Sequence, residues 1–372
     1  MNPIQRITQR GQSIWCDNLG RSMLDNGELQ RLIDLGVAGV TSNPTIFMKS
    51  ITGGSDYDDK LAGLIDDNKD VNECYEGLVI PDIVDACDAF LPLFERTGGR
   101  DGFVSLEVSP KLAHKTRETV EEARRLHRAV QRPNLLIKVP ATEEGIPAIA
   151  TLIGEGVSVN VTLIFSIAMY RNVMQAYLHG LSAFAARGGD LSSVASVASF
   201  FVSRVDTLVD KHLEQLQIEG RKVGHLFGRA AVANAKLAYA RFLDVFDRNG
   251  PFGALAAQGA RVQRPLWAST STKNPNYSPT MYVDPLIGPD TVNTLPPQTI
   301  EAVLSGKGTI GSIADGLDDA RFVLAELGNL GVDMQAVTSQ LLKEGVALFA
   351  ESFEQLLGNL TSKRKQLRSV VR

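Results

Sequence analysis

The feature that most constrains this chain is an alternation. Short apolar runs, most of them ending in polar residues, are separated by longer segments with helical periodicity. Eight such runs predict strands: Ser13–Asp17, Gly39–Ser42, Phe103–Val108, Leu135–Val139, Ser158–Val161, Val194–Phe201, Pro265–Ala268 and Thr280–Val283. Strands alternating with helices predict parallel pairing with crossover helices, and eight of them predict a closed (β/α)8 TIM barrel of the α/β class. Leu29, Leu32 and Ile33 share a helical face, and Gly36 is placed to cap its C-terminus. Thr116 to Val130 and Ile167 to Ala186 read as amphipathic helices. Tyr57 to Thr97 is longer than a plain crossover and reads as two helices, Phe201 to Arg264 carries extra helix, and Ile313 to Val371 reads as a helical hairpin around Gly331. No Ser/Gly/Pro-rich linker interrupts the pattern. Residues 1–372 are therefore expected to form a single barrel domain with helical insertions and a C-terminal helical extension.

Composition narrows the class. Hydrophobic residues are 44% and charged residues 22%, as in ordinary globular proteins. A formal net charge of −4 gives no bulk attraction to nucleic acid, so an anionic substrate needs local basic contacts. No run approaches roughly 18 apolar residues, and the polar start Met-Asn-Pro-Ile-Gln-Arg does not read as a signal peptide. Neither nucleic acid nor membrane is an expected partner, and a monomer or homodimer is expected. Cys16, Cys74 and Cys87 form no CxxC pair, which suits a reducing, cytoplasmic setting. The histidines (His114, His127, His179, His212, His225) show no metal-ligand spacing. Three Asn-x-Ser/Thr matches, at Asn160, Asn276 and Asn359, are read as coincidental.

In a barrel of this kind the reactive side chains sit at the C-terminal ends of strands. Lys138 lies inside Leu135-Leu-Ile-Lys-Val-Pro140. An apolar setting disfavours a charged ammonium, and a neutral amine is what a Schiff-base nucleophile requires. Periodicity alone serves equally a lysine that faces outward and snorkels between helices. Asp17 ends the first run and is a general base or a helix cap. Glu107, within Leu-Glu-Val, is catalytic or half of a buried ion pair. Asn43, in Thr41-Ser-Asn-Pro, holds a substrate oxygen or forms an Asx-turn. Asn160 and Thr162 are a polar pair beside the fifth run, and Ser199 and Arg204 follow on the sixth. Ser269, Thr270, Ser271, Thr272 and Lys273 form a hydroxyl-rich loop with one lysine, which suits a phosphate or is a plain polar turn.

Two tempting features carry less. Gly306-Lys-Gly308-Thr-Ile-Gly311 fits GxGxxG but follows the helix-like Pro297 to Ser305, so it reads as a helix–helix turn and not a dinucleotide site. The basic tail Lys363 to Arg368 reads as a solvated helix end, with a minor alternative of folding over an anionic substrate.

Taken in order, Gly39-Val-Thr-Ser-Asn43-Pro, Leu136-Ile-Lys138-Val-Pro, Asn160-Val-Thr162-Leu-Ile-Phe165-Ser and Phe201-Val-Ser-Arg204-Val-Asp resemble the motifs of the transaldolase family, in its longer bacterial-type subgroup. The resemblance runs from Trp15 to about Lys273. It implies that Lys138 forms the imine with the ketose carbonyl and that Asp17 takes the C4 hydroxyl proton. It implies that Glu107 and Thr162 position a water. Asn43, Asn160 and Ser199 would hold the dihydroxyacetone unit. Arg204, with Ser269 or Ser271 and Lys273, would hold the sugar phosphate. The reaction implied is dihydroxyacetone transfer from sedoheptulose 7-phosphate to glyceraldehyde 3-phosphate, a transferase step of the non-oxidative pentose phosphate pathway. No metal or organic cofactor is expected, because the imine is itself the electron sink. Two alternatives stay open. One is a fructose 6-phosphate aldolase-like lyase that releases dihydroxyacetone; the other is a non-catalytic barrel scaffold.

Overall fold

The computed structural model describes residues 1–370. Eight strands pair in chain order as a closed, all-parallel barrel: β1 (Gln12–Cys16), β2 (Gly39–Thr41), β3 (Phe103–Glu107), β4 (Leu135–Pro140), β5 (Val159–Ile164), β6 (Ser196–Phe201), β7 (Arg264–Ala268) and β8 (Thr291–Leu295). β8 closes on β1 in a register that sets Gln12 beside Thr291 and Cys16 beside Leu295. Nearly every strand residue is buried, as expected where one face fills the lumen and the other lies under helices.

Seven strands lie where the apolar runs predict, within a few residues at each end. The eighth does not. Thr280–Val283 is a turn: the Val283 and Asp284 N–H groups both donate to Thr280 O, and Thr280 Oγ1 donates to Asp284 Oδ2 at 2.8 Å. The true β8 is Thr-Val-Asn-Thr-Leu, whose side chains alternate faces. Its polar members are absorbed inside: Thr294 shares a hydrogen bond with Thr41, and Asn293 donates to Tyr282 O. A strand that meets polar partners on both faces carries no apolar run to mark it.

Lumen packing sets local residue choice. A Cβ at Gly39 would lie 2.7 Å from the Trp15 ring and 2.8 Å from Phe103 O, so β2 can pass Trp15 only with glycine there. The lower end of the lumen holds Arg264, whose guanidinium donates to Asp101 Oδ1 and Arg100 O (3.0 Å each), Ser13 Oγ (2.5 Å) and Thr291 O (2.7 Å).

The helical additions fall as expected. The interval 57–97 holds helices Asp58–Asp66 and Val71–Arg96, the second opened by a reciprocal cap between Asp70 and Glu73. Helices Ser203–Ile218 and Ala230–Val245 and the short Gly253–Ala256 occupy the interval before β7. The GxGxxG segment follows helix Pro297–Leu304 and binds no strand. The terminal hairpin comprises helices Leu317–Asn329 and Met334–Val370, with Gly331 at φ 88° between them; Val371 lies outside the described residues. The basic tail is neither simply solvated nor folded over the barrel mouth. Lys363 Nζ donates to Ile51 O (3.1 Å) and Gly54 O (2.7 Å) and pairs with Asp58, while Arg364 donates to Lys69 O. The long helix is thereby clasped to helix Pro44–Thr52, where Thr45 Oγ1 also meets Ser352 Oγ at 3.0 Å. Among the described residues no helix is long and apolar enough to cross a membrane.

Candidate active site

Lys138 points into the upper end of the lumen and is 5% exposed. Register places it between Glu107 on β3 and Asn160 on β5. Its Nζ donates to Ser42 O at 3.2 Å and lies 3.3 Å from Glu107 Oε2, close enough for an ion pair but off the line of a directed hydrogen bond. The outward, snorkelling alternative is thus not realised. Burial raises the Glu107 carboxyl above its ordinary range, with the Lys138 ammonium opposing. A carboxylate so placed is a better proton acceptor than one in water.

Asp17 sits one residue beyond β1, where its N–H still donates to Leu295 O at 2.8 Å. That extra rung fixes the direction of its side chain. Asp17 caps no helix; its Oδ1 accepts from Thr41 Oγ1 at 2.7 Å, and Thr41 in turn meets Thr294 Oγ1 at 2.7 Å. Burial raises the Asp17 carboxyl, while the charge of Lys138 and the Thr41 hydrogen bond hold it down in part. The adjacent Cys16 thiol is fully buried and pushed up to about 12, which makes it inert packing rather than a reactive group.

Beside and below the amine runs a polar chain: Ser199 Oγ donates to Asn160 Oδ1 (2.7 Å) and Asn160 Nδ2 donates to Ser105 Oγ (3.0 Å). Asn160 has no exposed surface, so its sequon is not a glycan site. On β5 the register to β6 shifts between Val161 and Ile164, and Leu163 takes φ 60°. Such a bulge re-aims side chains at a functional rim. Thr162, just before it, is buried with no partner for its hydroxyl, and Glu107 Oε2 lacks a hydrogen-bond partner too. Two unsatisfied oxygens beside an amine are costly in a finished structure and useful in a site awaiting a small polar molecule.

The rim is basic. Arg204, Lys273 and Lys49 converge on it, and among the described residues none makes an ion pair. Burial lowers both Arg204 and Lys273, and their mutual repulsion lowers Lys273 further. An anion bound between them would relieve both effects. Arg204 lies over Phe201 at 5.8 Å from the ring centroid. Ser269, at φ 55°, follows β7 directly and shares a 3.0 Å hydrogen bond with Ser203, while Lys273 Nζ donates to Ser271 Oγ at 2.9 Å. Two tyrosines pin this loop to helix Ser203–Ile218: Tyr277 OH donates to Asp210 (2.6 Å) and Tyr282 OH to Asp206 (2.9 Å).

Asn43 plays the structural part of its two readings and keeps a free end. Its Oδ1 accepts the Ile46 N–H at 3.0 Å and caps helix Pro44–Thr52, while the residue also borders the site. The cavity measures about 370 Å³, within the range of small-molecule sites. A cavity of about 400 Å³ lies behind it and shares Asn43, but it holds neither Lys138 nor Asp17. Residues that the sequence did not mark also line the mouth: Thr41, Thr294, Lys49 and, from the C-terminal helix, Phe349 and Ser352.

A buried amine, the enclosed Glu107 carboxyl and the half-buried Asp17 carboxyl near it, and a basic rim suit covalent chemistry on a carbonyl of a phosphorylated compound. The model of a family described as Transaldolase/Fructose-6-phosphate aldolase matches residues 14–360. A protein of Thiobacillus denitrificans named Transaldolase is 49% identical over 97% of this chain and 100% of its own length. Proteins of the same name from Mycobacterium marinum and Mycobacterium tuberculosis are 48% and 47% identical, each over 96% of this chain and 96% of their own.

Proposed function

Because this chain belongs to the transaldolase/fructose-6-phosphate aldolase family, we propose that its barrel mouth performs Schiff-base dihydroxyacetone transfer on Lys138. The enzyme moves a dihydroxyacetone unit from sedoheptulose 7-phosphate to glyceraldehyde 3-phosphate, giving erythrose 4-phosphate and fructose 6-phosphate. The observation that carries the site assignment is the Lys138 amine, enclosed in the lumen 3.3 Å from a carboxylate that can take its proton.

The steps follow from the placement of the groups. Glu107 accepts a proton from the ammonium, and the freed amine adds to the ketose C2 carbonyl. Loss of water from the carbinolamine gives the iminium; Thr162 and Glu107, with oxygens in need of partners, hold that water. Asp17 then removes the proton of the C4 hydroxyl. The C3–C4 bond breaks, its electron pair moves into the iminium, and the first aldehyde leaves. The enamine attacks the second aldehyde, whose oxygen takes the proton back from Asp17. Water finally adds at C2 and the C–N bond to Lys138 breaks. Asn160 and Ser199, linked to each other, and the free amide end of Asn43 hold the oxygens of the three-carbon unit. Arg204 and Lys273, with Ser269 or Ser271, hold the phosphate. The whole chain acts as one domain in a reducing cytoplasm, as a monomer or homodimer.

The test is acceptor dependence. With fructose 6-phosphate as donor, erythrose 4-phosphate must be required for rapid turnover and must appear in sedoheptulose 7-phosphate. Equal turnover without an acceptor, with free dihydroxyacetone as product, would make the enzyme a lyase.

A further inference from the structure

The C-terminal helix reaches the chemistry at one point. At Gly345 it passes the barrel rim so closely that a Cβ there would lie 3.0 Å from Leu163 Cδ2. Leu163 is the residue at positive φ in the β5 bulge. One turn further on, the Phe349 ring lies over the site, its centroid 5.6 Å from Lys138 Nζ. Phe349 is only 6% exposed, and Ser352, three residues on, is tied to Thr45. The clasp of Lys363 on Ile51 O and Gly54 O holds the helix down from the far side.

We propose that Phe349 is a specificity-determining residue that decides whether the Lys138-bound three-carbon unit is transferred or released. The proposal rests on the Schiff-base reading of Lys138 and deepens it. After the first aldehyde leaves, the bound enamine has two fates. In transfer, its nucleophilic carbon forms a C–C bond to the acceptor aldehyde, and the aldehyde oxygen takes the proton from Asp17. In release, that carbon is protonated instead, with the proton Asp17 removed earlier. Water then adds to C2, the C–N bond breaks, and dihydroxyacetone and the free Lys138 amine result. The water consumed equals the water lost on forming the imine, so release needs no further reactant. An aromatic face over Nζ favours the cationic iminium and excludes bulk water from C2. Both effects lengthen the life of the bound unit until an acceptor arrives.

The experiment measures, on purified enzyme with fructose 6-phosphate, the ratio of acceptor-independent dihydroxyacetone release to transfer onto erythrose 4-phosphate. Phe349→Ala should raise that ratio by about tenfold. Phe349→Leu, which keeps bulk but loses the ring face, should raise it less. Gly345→Leu, which lifts the helix off Leu163 while leaving Phe349 in the chain, should move it in the same direction. Borohydride trapping on Lys138 accompanies each variant. An unchanged ratio with trapping intact, or a proportional loss of both activities, overturns the role of Phe349 and leaves the Schiff-base reading standing. Absence of trapping in the unaltered enzyme overturns that reading, and this inference with it.

Discussion

The lumen of this barrel contains a buried ion pair at each end, and the two are built to opposite rules. At the lower end, Arg264 faces Asp101 at 3.0 Å and spends its terminal nitrogens on a side chain and two backbone carbonyls besides. At the upper end, Lys138 faces Glu107 at 3.3 Å and has one further acceptor, Ser42 O. Glu107 Oε2 and the neighbouring Thr162 hydroxyl have no hydrogen-bond partner; Lys138 and Thr162 line the cavity of about 370 Å³, and Glu107 borders the adjoining one of about 400 Å³. A pair whose terminal nitrogens are all engaged, with only Arg264 Nε left over, holds strands in register. An incomplete pair keeps hydrogen-bonding capacity for a substrate at the cost of stability.

The contrast is broken or sharpened by substitution at each end. Lys138→Ala should lower turnover by about 10⁴-fold or more, while the melting temperature falls less than for loss of Arg264, because burial already raises the Glu107 carboxyl and it can take up a proton when its partner is gone. Asp17→Asn should lower turnover by roughly 10²- to 10⁴-fold and yet stabilise the fold at neutral pH. The sign follows from burial, which raises the carboxyl in the folded state relative to the unfolded chain. Stability from the protonated form is then present below the ordinary aspartate range and is lost as pH rises through the folded pKa. Urea unfolding across pH should show the Asn variant gaining on the parent as pH rises, with no difference in acid. The acid limb of turnover should fall above the ordinary aspartate range for the same reason.

At the other end, Arg264→Met should cost about 3–5 kcal/mol in urea unfolding, because Asp101 is left buried without its partner. The fraction that remains folded should keep its kcat. A loss of kcat with little loss of stability would erase the distinction between the two ends. The smallest effect is expected at the rim. Arg204→Ala should raise KM for phosphorylated sugars by about 10- to 100-fold, as for one charge-assisted hydrogen bond to a phosphate. It should leave the KM for an unphosphorylated acceptor nearly unchanged.

How far the sequence discloses this arrangement depends on whether a residue's signal is local. Lys138, Glu107 and Asp17 are legible because each interrupts or ends an apolar run at the end of a strand. β8 is not, because its Thr291 and Asn293 are polar residues that bond to buried partners inside the fold, while the more apolar Thr280–Val283 is curled into a turn. Asn43 reads as cap or ligand in sequence, and the fold commits its oxygen to the cap and leaves its nitrogen. Thr41 carries no local signal of its role, which is to bond Asp17 on one side and Thr294, 253 residues further along the chain, on the other. Phe349 is one apolar residue among many on an amphipathic helix, and only the close approach at Gly345 brings it to Lys138.

The most direct measurement is borohydride reduction of the enzyme in the presence of fructose 6-phosphate, followed by peptide mass mapping. A reduced three-carbon adduct on Lys138 is the expected result. An adduct on Lys273, Lys49 or another lysine, or no adduct while turnover proceeds, would contradict the assignment of the reacting amine.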